Sequence, residues 1–265
     1  MVAKLFGNRT VIRGRVAKVF YEFVGKVTGH GTDVGFMNYG FDYDTSDDEP
    51  ALLERDEKER YPAQLYHEVA TQIDLNGKAL LDIGSGRGGG ASYMHRYLGP
   101  SNTTGMDLAQ SAVNFCNSVY EDIDGLCYVQ GNATSIPFES NSFDAVTNVE
   151  SSHCYKDIGA FFCEVFRVLK PGGSFLYTDY AAPDHPRRTQ LQSAGFELRA
   201  YRDITPNVAR GLVKDTERRI EVIDRLFPYG TRKLAKVWAG LDGGHIHTDF
   251  EEGRREYFII HAVKP

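Results

Sequence analysis

Residues 79–90, which read Ala-Leu-Leu-Asp-Ile-Gly-Ser-Gly-Arg-Gly-Gly-Gly, constrain the fold of this chain more than any other segment. An apolar run that ends in an acid predicts a buried strand, and the glycines after it predict a tight turn into a helix over 91–98. Gly84, Gly86 and Gly88 permit that turn and let a ligand approach bare backbone at the helix N-terminus. Dinucleotide-binding proteins share such a glycine triplet, so the glycines alone do not identify the ligand. The neighbouring residues are needed to distinguish the possible ligands.

Two acidic residues favour a nucleoside that carries a cationic amino acid over a dinucleotide. Asp82 ends the first strand just before the turn, where its carboxylate would repel a pyrophosphate but tolerate a cation. Asp107 ends the next predicted strand, where an acid can accept hydrogen bonds from both ribose hydroxyls. The sequence therefore predicts a nucleoside site at the carboxyl ends of the first two strands.

Downstream segments extend this pattern in a fixed order: Gly131-Asn132-Ala133, Ile136-Pro137-Phe138, Ser142–Val146 and Leu169–Gly173. With them, residues 60–181 resemble the class I S-adenosylmethionine-dependent methyltransferases, and the resemblance implies S-adenosyl-L-methionine as the cofactor. One residue departs from the pattern, since the family often has aspartate where this chain has Asn132. An amide oxygen can still accept a hydrogen bond from the adenine amino group.

Three further segments narrow the resemblance: Leu65–Leu75, Glu150–Tyr155 and Asp203–Gly211. They are similar to segments of the mycobacterial phthiotriolone dimycocerosate O-methyltransferases, and natural-product sugar O-methyltransferases are similar in outline. The resemblance implies methyl transfer to a hydroxyl of a hydrophobic lipid, polyketide or glycosylated natural product. One alternative is a C-methyltransferase acting on an alkene or a sterol- or terpenoid-like carbon, since Tyr39-Gly40-Phe41 resembles an aromatic motif of such enzymes. Another is a non-catalytic cofactor-binding scaffold, which the departure at Asn132 favours.

Alternating strand and helix patterns predict an α/β fold with a parallel sheet. The resemblance implies a doubly wound, mostly parallel sheet of order 3-2-1-4-5-7-6 whose last strand is antiparallel. The predicted strands are Ala79–Ile83, Thr103–Asp107, Cys127–Gln130, Ala145–Asn148, Ser174–Thr178, Phe196–Asp203 and Glu256–Val263. We expect three regions: an N-terminal lid helix with an aromatic-glycine segment (1–60), a cofactor-binding core (61–205 and 250–265) and a helical substrate cap (206–249). The predicted helices of the cap are Val208–Leu212, Thr216–Phe227 and Thr231–Ala239.

The predicted cofactor contacts share a position at or near the carboxyl ends of the strands. They are Asp82, Gly84, Ser85, Gly86, Gly88, Gly90, Asp107, Leu108, Asn132, Ala133 and Glu150. Glu150 ends the fourth strand, where its charge would favour a sulfonium. The alternative for this residue is a cap of the helix that begins near Asp157.

His153 and Asp179 are the predicted catalytic residues. A hydroxyl is a weak nucleophile at neutral pH, so O-methylation usually needs a base beside it. His153 follows the fourth strand and Asp179 ends the fifth, and these strands are neighbours in the implied sheet. A carboxylate beside the imidazole would fix its tautomer and raise its basicity. The alternatives are a structural histidine and an aspartate that bonds Tyr180 or a backbone amide.

The acceptor is predicted to be hydrophobic. Tyr39, Tyr43, Tyr66 and Tyr155 are candidate substrate-wall residues, although core packing explains each of them nearly as well. The cap is rich in apolar residues that we expect to line a cavity: Leu212, Val213, Ile220, Val222, Ile223, Leu226, Phe227, Leu234, Val237 and Trp238.

Composition excludes several classes of protein. The net charge of −6 argues against a general nucleic-acid binder, and no apolar run is long enough to span a membrane. The four cysteines lack CxxC pairing and are interpreted as reduced thiols of a cytoplasmic protein. A metal site is one interpretation of His245, His247 and Asp249. Two histidines and an acid on a predicted loop are weak evidence for it, and no metal is predicted.

The first 26 residues are basic and carry apolar residues at helical spacing from Ile12 to Phe23. This segment is predicted to be either a lid helix on the core or a peripheral membrane contact. A homodimer is a further prediction.

Overall fold

A computed structural model describes residues 34–45 and 48–265, and of Trp238 it describes the backbone alone. The predicted basic N-terminal helix lies outside the described residues. Within them, the expected order of strands and helices is present from residue 79 to the C-terminus.

Seven strands form one sheet of order β3-β2-β1-β4-β5-β7-β6, which confirms the predicted topology. They are β1 Ala79–Ile83, β2 Asn102–Asp107, β3 Leu126–Gln130, β4 Phe143–Val149, β5 Leu169–Ala181, β6 Glu197–Asp203 and β7 Glu256–Val263. Strands β1 to β5 pair in parallel, whereas β7 runs antiparallel to both β5 and β6. The strand order reverses between β1 and β4, and sheets of this kind bind ligands in the crevice at that point.

The helices cover both faces of this sheet. They are α1 Glu54–Glu57, α2 Arg60–Ala70, α3 Gly89–Leu98, α4 Gln110–Val119, α5 Ile158–Val168, α6 Arg187–Ser193, α7 Thr205–Leu226, α8 Tyr229–Trp238 and α9 His245–Glu251. Alternation along β1 explains the two layers, because Leu80 joins one apolar cluster while Leu81 and Ile83 join the other. Helices α2 and α3 pack in the first cluster, and α5 packs in the second.

The cap differs from its prediction in two places. Residues 205–226 form one continuous helix where two were predicted, because Asp215 bonds Arg218 and Arg219 within the helix and no breaker interrupts it. Gly211 is accepted inside this helix because the backbone of Phe41 passes there, 3.1 Å from where a Cβ would lie. Residues 245–251, predicted to be a loop, form α9.

None of the helices within residues 34–45 and 48–265 combines the length and the apolar character needed to cross a membrane.

Gly90 lets α3 approach α2 closely, and this contact gives a testable stability prediction. A Cβ at Gly90 would lie 1.9 Å from the ring of Tyr66. We expect Gly90→Ala to lower the free energy of unfolding in urea by about 1–3 kcal/mol because of overpacking. Gly230→Ala, where a Cβ meets nothing within 4 Å, is the matched control and should be neutral or slightly stabilising. An equal cost of Gly90→Ala in a Tyr66→Leu background would contradict this account, since the ring would then not be the obstacle.

Candidate active site

The turn after β1 is filled on one side and open on the other. Gly84 and Gly86 both adopt left-handed backbone conformations, with φ of 77° and 54°. A Cβ at Gly84 would lie 2.3 Å from Ser151 Oγ, so that side is occupied by protein. Among the residues that the structure describes, a Cβ at Gly86 would meet only Met37 Sδ, at 3.8 Å. Gly86 therefore presents bare backbone on the side where the ligand is predicted to lie.

Asp82 is fully buried at the end of β1, and only one of its two carboxylate oxygens accepts a hydrogen bond from the described residues. Thr147 Oγ1 donates to Oδ1 at 2.8 Å, whereas Oδ2 has no hydrogen-bond donor in the described part of the chain. Burial raises the pKa of Asp82 to about 7. A buried oxygen without a donor is costly, so this atom fits a cationic or hydrogen-bonding group of a ligand.

Asp107 is held beside the open glycine. Its Oδ2 accepts the backbone N–H of Gly86 at 2.9 Å, and its Oδ1 accepts that of Ala109 at 2.8 Å. Burial raises the pKa of Asp107, and these amide donors oppose the shift. Leu108, the next predicted contact, is exposed. The two bonds fix the carboxylate in place without using all of its lone pairs.

The other predicted cofactor residues flank this turn. Ser85 is buried, and its carbonyl accepts the N–H of Gly88, the residue that caps α3, at 2.8 Å. The amide oxygen of Asn132 accepts two bonds of 3.0 Å from Thr134, so this oxygen shapes its own turn. Ala133 is buried next to it. Asn132 therefore offers its amide N–H groups, rather than a fully free oxygen, to a ligand.

Glu150 anchors the aromatic-glycine segment, which we define as residues 35–41. Its Oε2 accepts the backbone N–H of Tyr39 and the hydroxyl of Tyr257, both at 2.7 Å. Burial raises the pKa of Glu150 to about 7, although these two donors oppose the shift. Asp157 itself caps α5 through Ala160 N, so Glu150 is not needed there.

His153 and Asp179 form the predicted pair. The Nδ1 of His153 lies 2.8 Å from Asp179 Oδ1, and the backbone N–H of His153 donates to Oδ2 at 2.8 Å. Ser152 and Tyr180 also donate to this carboxylate. Burial alone would lower the pKa of His153, but the charge and hydrogen bond of Asp179, with a smaller contribution from Cys154, together raise that pKa well above its usual range. Burial likewise opposes ionisation of Asp179, but the charge of His153 and the hydrogen bonds to this carboxylate together lower its pKa. The pair therefore favours an imidazolium.

A second anchor holds the aromatic-glycine segment from the cap. Arg219 of α7 donates to the carbonyl oxygens of Asn38, at 3.1 Å, and Tyr39, at 3.0 Å. It also donates to the carbonyl of Ala239 at 2.9 Å, just after α8. Asp215 accepts a bond from Arg219 at 2.8 Å and so holds the guanidinium in place. Tyr39 thus connects the aromatic-glycine segment to the sheet through Glu150 and to the cap through Arg219.

The four predicted substrate-wall tyrosines contact different parts of the site. The ring of Tyr39 lies 5.6 Å from that of Tyr180, which in turn lies 4.6 Å from the His153 ring. Tyr155 bonds Ser151 at 2.9 Å on the filled side of the turn, and Tyr66 packs over Gly90. Tyr43 packs on Phe41 at 4.8 Å. Through the ring of Tyr180, Tyr39 is connected to the His153 side of the site.

The metal interpretation finds no support in the geometry. Asp249 pairs with Arg254 and Arg255, while His247 Nδ1 is 3.6 Å from carboxylate oxygens of Asp242 and Glu251. Within residues 34–45 and 48–265, no group of three or more His, Cys, Asp or Glu side chains is arranged to hold a metal ion.

Three residues near the site were not predicted: Tyr180, Arg219 and Tyr257. Tyr180 directly follows Asp179 in β5, whereas Arg219 and Tyr257 reach the site from elements distant in sequence. The doublet Arg218-Arg219 beside a buried aspartate on an amphipathic helix was the one available signal.

Comparisons with known proteins agree with this geometry. A family model described as a methyltransferase domain matches residues 81–177. The chain is 41% identical over 239 residues to a fatty-acid O-methyltransferase of Mycolicibacterium smegmatis, which covers 88% of this chain and 84% of that protein. It is 36% identical over 245 residues to the phthiotriol/phenolphthiotriol dimycocerosates methyltransferase of Mycobacterium tuberculosis, with 92% and 90% covered.

A solved structure of geranyl diphosphate C-methyltransferase from Streptomyces coelicolor A3(2) superposes with a TM-score of 0.65 at 18% identity, covering 93% of this chain and 98% of that one. At that identity, the likeness shows the fold alone.

Proposed function

Because this chain belongs to the S-adenosylmethionine-dependent methyltransferases, we propose that it transfers a methyl group to an oxygen atom of a hydrophobic acceptor. The observation that carries the proposal is the pair of half-buried His153 and buried Asp179, at 2.8 Å, beside the rings of Tyr180 and Tyr39. Two relatives are named for fatty-acid and phthiotriol dimycocerosate substrates, which supports a lipid-like acceptor.

The cofactor side of the site fits S-adenosyl-L-methionine. Asp82 offers a buried oxygen without a donor, and Gly86 offers bare backbone. We propose that Asp107 accepts the ribose hydroxyls and that Asp82 faces the cationic amino acid portion. Asn132 and Ala133 would border the adenine, with Ser85, Gly88, Gly90 and Leu108 around the turn. The sulfonium supplies an already activated methyl group, so positioning accounts for much of the acceleration.

Asp82 gives a pH prediction for cofactor binding. Its carboxyl group has a pKa raised to about 7, so below that pH it is mostly protonated in the free enzyme. A bound cation favours the ionised form, so binding must release this proton, and affinity should fall as pH drops below about 7. Calorimetry from pH 5.5 to 8 should show this trend in wild type and a flatter profile in Asp82→Asn. An equally steep profile in Asp82→Asn would assign the linkage to another group.

For a hydroxyl acceptor, His153 is the proposed general base. Asp179 holds Nδ1, which leaves Nε2 to take the acceptor proton as the new O–CH3 bond forms and the S–CH3 bond breaks. The base form requires loss of a proton from a group whose pKa lies well above its usual range. The rate with a hydroxyl acceptor should therefore rise with pH through neutrality.

A carboxyl acceptor is the second candidate, and the raised pKa of His153 favours it. A carboxylate is already ionised and needs no base, so the imidazolium would hold it by a charge-assisted hydrogen bond from Nε2. The rate with such an acceptor should fall as pH rises through the pKa of His153, because the positive charge is lost.

Methyl transfer from labelled cofactor, measured from pH 6 to 10 with a long-chain alcohol and with a long-chain fatty acid, separates the two candidates. Transfer to the alcohol with a rate that rises with pH supports the hydroxyl reaction, and transfer to the acid with a falling rate supports the carboxyl reaction. Label on neither lipid but on a polar metabolite pool would contradict the hydrophobic acceptor. Label on carbon, retained in His153→Ala, would support the C-methyltransferase alternative.

A further inference from the structure

The outward face of α8 carries large apolar side chains that point into solvent. Tyr229 is 88% exposed, Leu234 43% and Val237 42%. Tyr229, Lys233 and Val237 follow one another at four-residue spacing, and Leu234 lies in the adjacent row, so the four share one face. The opposite face of α8 packs against the rest of the protein, because Ala235 is buried against Ile223 and Phe227. Leu234 and Val237, which the sequence predicts to line an interior cavity, lie on the outer surface instead.

The charge of α8 contrasts with that of the whole chain. Residues 229–238 contain Arg232, Lys233 and Lys236 and no acidic residue, whereas the chain has a net charge of −6. Lys233 is exposed within the apolar face. Arg232 lies over the Tyr229 ring at 5.9 Å, and Lys236 pairs with Asp224 at the flank. A basic helix with an exposed aromatic and two aliphatic residues is typical of a helix that lies at a membrane interface.

The position of α8 relates this face to the acceptor side of the site. Arg219 bonds Ala239, directly after α8, and also the carbonyls of Asn38 and Tyr39. The ring of Tyr39 lies 2.9 Å from where a Cβ on Gly240 would be. The C-terminal end of α8 therefore meets the segment that lies beside His153 and Tyr180.

We propose that the outward face of α8 (Tyr229, Lys233, Leu234 and Val237) docks the protein on an anionic phospholipid surface. The apolar side chains enter the boundary between headgroups and acyl chains, and the exposed ammonium group of Lys233 faces lipid phosphates. This docking brings the Tyr39 end of the cap to the bilayer, where a hydrophobic acceptor is concentrated. The surface is argued from α8 alone, whereas its role in acceptor delivery rests on the proposed function.

Co-sedimentation with phosphatidylglycerol and phosphatidylcholine vesicles tests the docking surface. Wild type should bind phosphatidylglycerol vesicles more tightly, and binding should weaken with salt. The double variant Leu234→Glu/Val237→Glu should lose binding by roughly tenfold or more, and Lys233→Glu by roughly fivefold. Leu53→Glu, at an apolar position that is 52% exposed outside the cap, is the matched control and should bind as wild type does.

Cofactor affinity and methyl transfer to a short, water-soluble acceptor are measured on the same proteins without vesicles. These should be unchanged in the double variant, which shows that it is folded and active. Wild type that does not distinguish the two lipids would overturn the proposal, as would a double variant that binds as tightly as wild type. In the latter case the basic residues of 1–33 would be the contact. Failure of the proposed function would appear differently, as absence of transfer to any acceptor without vesicles.

Discussion

Replacing His153 with alanine is expected to lower kcat with a hydroxyl acceptor by roughly 10²- to 10⁴-fold, because the proposed general base is removed. Cofactor affinity should stay near that of wild type, since Asp82, Gly86 and Asp107 are untouched. With a carboxyl acceptor the main loss should be a higher KM, because the imidazolium would serve to bind the substrate. Steady-state kinetics with both acceptors, and calorimetry with the cofactor, measure these effects.

Removal of His153 also leaves the Asp179 carboxylate buried without its main partner, so the alanine variant can lose stability. His153→Gln keeps a donor to Asp179 but supplies no base, and it should show the loss of kcat in a folded protein. His261→Gln is the matched control, since His261 bonds Ser174 at the opposite end of β5. Near wild-type turnover in a folded His153→Gln enzyme would falsify the base mechanism.

Replacing Asp107 with alanine is expected to weaken binding of both S-adenosyl-L-methionine and its demethylated product. The loss should be about 1–3 kcal/mol, because the ribose hydroxyls lose their charged acceptor. Part of the effect arises from the turn, since Asp107 also holds the N–H groups of Gly86 and Ala109. Calorimetry with the two nucleosides gives the affinities, and the midpoint of thermal unfolding reports on the turn.

Asp107→Asn separates these two contributions, because the amide can still accept one backbone N–H but offers a weaker, uncharged acceptor to the ribose. Asp74→Ala, an exposed acid near the other end of β1, is the matched control. If Asp107→Ala bound both nucleosides with wild-type affinity, the ribose would have to be held elsewhere.

The anchors of residues 35–41 show that cap and cofactor turn are physically connected. Glu150 holds Tyr39 from the sheet, Arg219 holds it from α7, and Met37 lies over Gly86. Residues 35–41 therefore contact the sheet, helix α7 and the turn after β1.

The comparisons support an enzyme over the non-catalytic scaffold that the departure at Asn132 had suggested. The amide oxygen of Asn132 closes a turn by accepting two hydrogen bonds from Thr134. An aspartate at position 132 would accept the same two hydrogen bonds. Asparagine in place of the family's aspartate therefore leaves the turn, and with it the backbone at Ala133, unchanged.

Local patterns predicted the parallel sheet and the cofactor turn, and the family resemblance supplied the strand order that brings His153 and Asp179 together. The parallel sheet follows from alternating strand and helix signals, and in such a sheet the carboxyl ends of β4 and β5 must meet at one edge. Once that order is accepted, the residues after β4 and at the end of β5 have to be neighbours. Glycine spacing and the acids at 82 and 107 are equally local, because each is set by a few consecutive residues.

Tertiary structure alone decided the state of these groups and the arrangement of the cap. The raised pKa values of Asp82, Glu150 and His153 depend on burial and on partners far away in sequence, which periodicity does not encode. The anchors from Arg219 and Tyr257 are similarly long-range. In α8, both helix faces carry apolar residues, so the sequence could not tell which face would be covered. That choice was made by the packing of Ala235 against α7, which left Leu234 and Val237 in solvent.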